Sequence, residues 1–185
     1  QSAVSYKVCA SNVTRNSDSA TLTTNSATFT GTSSSFSKIV ISQLYGGGGN
    51  AGAQYTNDYI ELFNRGASPV NISGWSVQYA SSANNFSLKT DLTGTIQPGG
   101  YFLIQQASGG ANGTLLPSPD IATGSINMSA TAGKVALVTN STLLTCGSAA
   151  TPCTLASPIR DYVGFGAAAS TYEGSGPSSS PSATN

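Results

Sequence analysis

The stretch "NDYIELFNRGASPVNISGWSVQYA", residues 57–80, decides the fold class of this chain. It contains two runs rich in β-branched and aromatic residues, separated by Gly, Ser, Pro and Asn, which is typical of strands joined by turns. In the second run, Trp75, Val77 and Tyr79 fall on one face by the two-residue repeat of a strand, and Ser76 and Gln78 fall on the other. The residues expected in the core are Ile60, Leu62, Trp75 and Val77, with Trp75 at its centre.

Short runs of the same kind recur along the whole chain, and helical periodicity is almost absent. Many short strands at such spacing indicate an all-β fold, an antiparallel β-sandwich. The other predicted strands are residues 4–8, 20–30, 37–45, 101–106, 134–139 and 160–166, and residues 70–80 are predicted to form one continuous strand.

Two connections, residues 46–57 and 106–125, are long for hairpins, as Greek-key crossovers or functional loops can be. The run "GGGGN" at 46–50 is predicted to be a flexible crossover, because no helix or Lys-Ser/Thr pair follows it to bind phosphate. The Gly/Ser/Pro-rich segment 173–185 is predicted to be a linker or disordered end.

Composition excludes several classes of function. The formal net charge is zero, only 8% of residues are charged, and the seven basic residues are scattered, so neither nucleic acid nor anionic lipid is an expected partner. No apolar run approaches the roughly 20 residues needed to span a bilayer. The chain begins at Gln1 without a signal peptide, which favours a processed, secreted product that acts outside the cell or at its surface.

Three cysteines are present. Cys146 and Cys153 flank the short Gly/Pro-containing loop "CGSAATPC", which favours a local disulfide in an oxidising compartment. Free or mutually distant thiols are the alternative, since spacing does not prove bridge geometry. Cys9 has no partner in this pairing, and we expect it to be either a buried thiol or a partner in an intermolecular disulfide.

Catalytic and metal sites are not expected. The chain has no histidine, which removes the commonest general base and metal ligand. Asp58 and Glu61 lie three apart in a predicted strand and therefore point to opposite faces, so both are interpreted as structural. No cofactor is predicted. Six Asn-x-Ser/Thr sequons are candidate glycosylation sites: Asn12, Asn71, Asn85, Asn112, Asn127 and Asn140.

The chained motifs "NDYIELFN", "SGWSVQY" and "PGGYFLI" resemble a bacterial lamin tail domain, and the string from Ile39 to Ser81 carries most of the likeness. The resemblance continues through residues 94–105, 128–138 and 161–177 and so covers nearly all of 36–177. It implies an immunoglobulin-like Greek-key β-sandwich over 36–172, a module of secreted bacterial proteins that is mostly non-enzymatic.

The resemblance also concerns residues 1–35, an N-terminal extension. Family members usually continue after a tail like "EGSGPSSSPSATN" into a segment resembling "SxxRxxxGxDTDxNxxDFT", which supplies the last strand. Here the matching pattern, "VTRNSDSATLTTNSATFTGT", stands at residues 13–32, with departures at Thr24 and Thr28 where acidic residues are usual. The terminal strand is therefore expected at the front of the chain, either folded back onto its own domain or donated to a neighbour.

We predict a structural subunit of an extracellular filament or surface assembly, a homopolymer that donates its N-terminal strand to the next copy. The expected anchors of the donated segment are Val4, Tyr6, Val8, Leu22, Ala27 and Phe29. The alternative is a monomeric adhesion module that binds carbohydrate or a surface partner through the loops 46–57 and 106–125. An extra edge strand in a monomer is the third interpretation of the extension.

Overall fold

The computed structural model describes residues 38–181 with their side chains, and residues 4–9 and 26–31 as backbone strands. The chain divides into two compact units, residues 1–36 and residues 37–185, which are treated separately below.

The first unit contains an antiparallel pair of strands, β1 (Val4–Cys9) and β2 (Ser26–Gly31). The register sets Tyr6 opposite Phe29 and Val8 opposite Ala27, so the apolar positions of one strand face those of the other. Cys9 is opposite Ser26. The anchor Leu22 and the sequon Asn12 lie outside the described residues. A two-stranded ladder is marginally stable by itself in water, because it lacks a third strand or a packing surface.

The second unit is an all-β structure of two antiparallel sheets and one small pair. Its strands are β3 (Ile39–Tyr45), β4 (Tyr59–Asn64), β5 (Val70–Asn71), β6 (Ser76–Ser81), β7 (Leu88–Asp91), β8 (Thr95–Ile96), β9 (Tyr101–Gln105), β10 (Gly133–Val138) and β11 (Ile159–Phe165). The sheets have the orders β11-β10-β6-β7 and β3-β4-β9, and β5 pairs with β8. The described residues include no helix long and apolar enough to cross a membrane.

The core lies between the inner faces of these two sheets. Ile60 and Leu62 on β4 and Val77 on β6 are fully buried in one apolar cluster, together with Ile104 and Leu137. This face-to-face packing of antiparallel sheets is the immunoglobulin-like sandwich expected from the alternating strands.

Trp75 is not at the centre of the core, contrary to expectation. It is half-buried and packs against the core from its margin. The predicted strand 70–80 is interrupted because Gly74 adopts a φ of 83°, a left-handed conformation that ends one extended segment and begins another. The chain therefore forms β5 and β6, with Trp75 before β6, and Ile72 is the fully buried residue of the turn.

The disulfide between Cys146 and Cys153 is confirmed, with an S–S distance of 2.01 Å. Both cysteines pack against a smaller apolar cluster that includes Phe86, Ala136 and Tyr162. The bridge thus ties the loop after β10 onto the outer face of the four-stranded sheet.

Lys134 is a fully buried cation on β10 and the anchor of three loops. Its Nζ donates to the carbonyl oxygens of Ser82 at 2.9 Å, Asn84 at 3.0 Å and Gly147 at 2.7 Å, and to Ser170 Oγ at 2.9 Å. Burial lowers the pKa of Lys134, since removal from water disfavours its charged form. The four oxygens offset that cost and fix segments far apart in sequence around one ammonium group.

Replacing Lys134 by Met should lower the free energy of unfolding by about 2–4 kcal/mol, because buried carbonyl oxygens lose their donor while chain volume is nearly kept. Urea unfolding followed by the fluorescence of Trp75, the only tryptophan, measures the change. The control is Lys89→Met, whose ammonium is paired with Asp91 at the surface. That exposed pair should contribute less than about 1 kcal/mol. Equal losses in the two variants would contradict the anchoring role of Lys134.

Candidate functional site

A cleft of about 330 Å³ runs along the seam where the two sheets end. Strand β3 is the last strand of one sheet and β11 is the last strand of the other. The cleft lies between them, and residues 178–181 form a further wall. The residues from the two strands that line it are Ile41, Ser42, Gln43, Leu44, Val163 and Phe165.

Three inner-face apolar residues at this seam are only half-buried: Ile41, Leu44 and Val163. Their cross-strand partners, Leu62, Ile60 and Val135, are fully buried in the core. The seam residues therefore belong to the core face of each sheet but are not fully covered. The core face of the sandwich is therefore only partly covered along this side.

A polar bridge joins the two edge strands beside the cleft. The backbone N–H of Ile41 donates to Asp161 Oδ2 at 2.6 Å, across from β3 to β11. The register of β3 shifts between Ile41 and Gln43, a bulge that changes which backbone groups face outward. Burial raises the pKa of Asp161, and the N–H groups of Ile41 and Tyr162 and the charge of Arg65 oppose that rise.

The C-terminal segment is attached to the edge of β11. Ser178 forms a parallel bridge with Phe165, in which Gly166 N donates to Ser178 O at 2.9 Å and Ser178 N donates to Gly164 O at 2.8 Å. Ser180 Oγ donates to the carbonyl of Thr131 at 2.7 Å. The expectation of a linker or disordered end is therefore wrong for residues 178–181, which wall the cleft.

The long loops 46–57 and 106–125 pair with each other. Gly49 bridges Asn112, and Tyr55 bridges Thr114. The glycines of "GGGGN", predicted to be a flexible crossover, are all buried, which corrects that prediction. A Cβ on Gly48 would lie 2.2 Å from the backbone of Asn57, so glycine is required by close approach.

Asp58 organises the first of these loops. Its Oδ1 accepts the N–H groups of Gly47 at 2.8 Å and Gly48 at 2.7 Å, and its Oδ2 accepts Met128 N–H at 2.7 Å. Burial raises the pKa of the Asp58 carboxyl, and the three N–H groups act in the opposite direction. Both oxygens face the protein backbone, so this carboxylate holds loops together.

Other candidate groups are dispersed. Within residues 38–181, no three His, Cys, Asp or Glu residues are grouped so that they could hold a metal ion. Asn71, Asn112, Asn127 and Asn140 are exposed. Asn85 is half-buried, and its side chain bonds Thr145 O, Ser148 N and Thr151 Oγ1.

Comparison with known families gives one match. A family model described as Lamin Tail Domain matches residues 32–150, and the match begins after the strand pair of the first unit and ends before β11. Comparison with curated proteins gave no significant match.

Replacing Asp58 by Asn should destabilise the chain by about 2–3 kcal/mol, because the amide NH₂ cannot accept the backbone N–H that it would face. Urea unfolding measures the loss, and amide hydrogen exchange at Gly47 and Gly48 should accelerate. Asp91→Asn is the matched control, since Asp91 is exposed and paired with Lys89 at the surface. A variant as stable as the wild type would contradict the assigned role of Asp58.

Proposed function

The chain belongs to the lamin tail domain family of structural immunoglobulin-like domains, and on that premise we propose that it is a non-enzymatic subunit of a secreted bacterial filament or surface assembly. In this proposal the N-terminal strand segment of one copy completes the sandwich of the next copy. The assembly is extracellular, in keeping with the Cys146–Cys153 disulfide.

The observation that carries the proposal is the open seam of the sandwich. Ile41, Leu44 and Val163 lie on the core faces of two edge strands and are half-buried beside a cleft of about 330 Å³. Edge strands with uncovered apolar neighbours invite pairing with another chain, and natural proteins cover or use them. An extended segment that adds to such an edge supplies backbone hydrogen bonds and fills the apolar gap at once.

The donor in this proposal is the strand pair β1–β2. Its register sets Val4 opposite Gly31, Tyr6 opposite Phe29 and Val8 opposite Ala27. Complete burial of one large apolar side chain contributes on the order of 1.5–3 kcal/mol of stabilising free energy. Three or four such residues, together with the ladder bonds, are enough to hold two copies firmly.

The geometry of donation determines the product. The donor and the acceptor are different surfaces of the same chain, so each copy can give one segment and receive one. Such a heterologous contact continues from copy to copy unless the rotation closes a ring, and it therefore favours a filament. We also propose that the exposed sequon residues Asn71, Asn112, Asn127 and Asn140 are positions available to glycans.

The rival proposal is a monomeric adhesion module that binds carbohydrate or a surface partner through residues 46–57 and 106–125. These loops pair with each other, and the glycines at 46–49 are buried. Both features make the loops poorly suited to act as a flexible binding surface. The two proposals differ in a measurable way, because only the first requires residues 1–31 for self-association.

Removal of residues 1–31 should convert the protein from a polymer to a monomer, as judged by sedimentation and by direct imaging of the intact material. Val163→Lys should have the same effect while leaving the fold intact, because it places a charge in the half-buried cleft without removing core volume. Leu155→Lys is the matched control, since Leu155 is 53% exposed and is not among the residues that line the cleft.

A peptide of residues 1–31 should bind the truncated protein and should not bind its Val163→Lys variant. An intact protein that stays monomeric at high concentration would overturn the polymer. If the truncated protein sediments like the intact one, strand donation is also wrong.

A further inference from the structure

The outer face of the three-stranded sheet carries a row of residues that the core does not use. Phe63 on β4 is aligned with Val40 on β3 and Tyr101 on β9, and Glu61 is aligned with Gln43 and Leu103. These positions alternate with Leu62 and Phe102, which are buried in the core. Side chains in alternate positions of a strand point to opposite faces, so this row points away from the core.

Tyr101 and Phe63 form an aromatic platform on this face. Tyr101 is 62% exposed, more than any other aromatic residue among the exposed large apolar residues of 38–181. Its ring centroid lies 4.7 Å from that of Phe63, with the ring planes inclined by 36°. Phe63 is half-buried and therefore supports the Tyr101 ring from the sheet side. The result is a fixed aromatic surface that faces solvent.

A small pocket of about 120 Å³, lined by both polar and apolar residues, lies beside the platform on the same face. Its walls include the rings of Tyr55 and Tyr59, the amide of Gln43 and the carboxylate of Glu61. Leu103, which also lines it, is two positions along β9 from Tyr101. Two positions along a strand span roughly 6.5–7 Å. Platform and pocket are thus adjacent along β9 on one face of the sheet.

The polar groups of the pocket are held in place by the protein. Tyr59 Oη donates to Gln43 Oε1 at 2.8 Å, which leaves the amide NH₂ of Gln43 as a donor. Burial is the main reason that the pKa of Tyr59 rises to about 12, so this hydroxyl keeps its proton at physiological pH. Glu61 Oε1 accepts Ser42 Oγ at 2.7 Å. Glu61 Oε2 has no hydrogen-bond partner within residues 38–181 and can accept from a ligand.

We propose that this outer face binds a neutral, extended polysaccharide, with one sugar stacked on Tyr101 and the next one hydrogen-bonded to Gln43 and Glu61. A sugar ring has an apolar C–H face that packs on an aromatic ring, and it has hydroxyl groups that both donate and accept. A carboxylate accepts two hydroxyl protons, and an amide NH₂ donates. The pocket lining contains Glu61 and no Lys or Arg, which disfavours an anionic glycan.

This site is separate from the cleft at the seam, apart from Gln43, which lines both. It adds a ligand to the proposed assembly and does not depend on strand donation. A fibre or a monomer with this face would attach to polysaccharide along the flat side of the sheet.

The test uses the intact protein with cellohexaose and chitohexaose as neutral probes and an oligosaccharide of hyaluronan as the anionic comparison, measured by titration calorimetry. At least one neutral hexaose should bind. Tyr101→Ala should weaken that binding about tenfold, and Tyr101→Phe should leave it within about twofold, since the ring and not the hydroxyl makes the stacking contact. Glu61→Gln should weaken it several-fold.

Tyr172→Ala is the matched control, because Tyr172 is 40% exposed and lies outside the three-stranded sheet. It should bind like the wild type. The proposal is overturned if no neutral hexaose binds at millimolar concentration, if Tyr101→Ala binds as tightly as the wild type, or if the anionic oligosaccharide binds best. It is also overturned if Tyr101→Ala changes only sedimentation, which would make this face a contact between copies. Strand donation is tested separately, and it is contradicted if the Val163→Lys variant still forms a polymer.

Discussion

The structure depends on one constraint, the need to cover the inner faces of two sheets at the same time. Along most of their length the sheets cover each other, and residues such as Ile60, Leu62, Val77 and Leu137 have no exposed surface. At β3 and β11 the cover ends, because each strand is the last of its sheet. The half-buried residues at the seam, the bridge from Ile41 to Asp161 and the attached C-terminal segment all lie where this constraint is incompletely met.

Although the chain has few charged residues, some of these are buried and hold loops in place. Lys134 and Asp58 are both buried, and both bond backbone groups instead of an opposite charge. A buried ion is costly unless it is well satisfied by hydrogen bonds. Here each ion joins separate loops through their backbone groups. The sandwich can therefore carry long Gly- and Ser-rich connections without leaving them loose.

Much of the fold could be predicted from the sequence, because the two-residue spacing of Ile60 and Leu62, and of Val77 and Tyr79, places each pair on one face of a strand. The prediction for Trp75 is wrong because the left-handed conformation of Gly74, which alternation does not encode, breaks the predicted strand just before Trp75. The prediction of flexibility at 46–49 is wrong because glycine permits both motion and close packing, and only the neighbouring backbone of Asn57 and Gly110 decides between them. The displaced terminal strand predicts an incomplete sandwich, but the position and lining of the seam cleft could not be predicted, because they arise from residues far apart in sequence.

In the proposed strand donation, the donated strand and the receiving cleft are different parts of one chain, and this has a consequence for growth. In a chain of copies joined head to tail, the first copy has an unfilled cleft and the last has an undelivered strand, so the two tips are chemically unlike. Growth of the filament, termination of growth and attachment of the filament then become separate events, and a different capping protein can control each of them. A protein that caps the tip with the unfilled cleft needs only a strand to insert there. A protein that caps the other tip needs only a groove that accepts the undelivered strand.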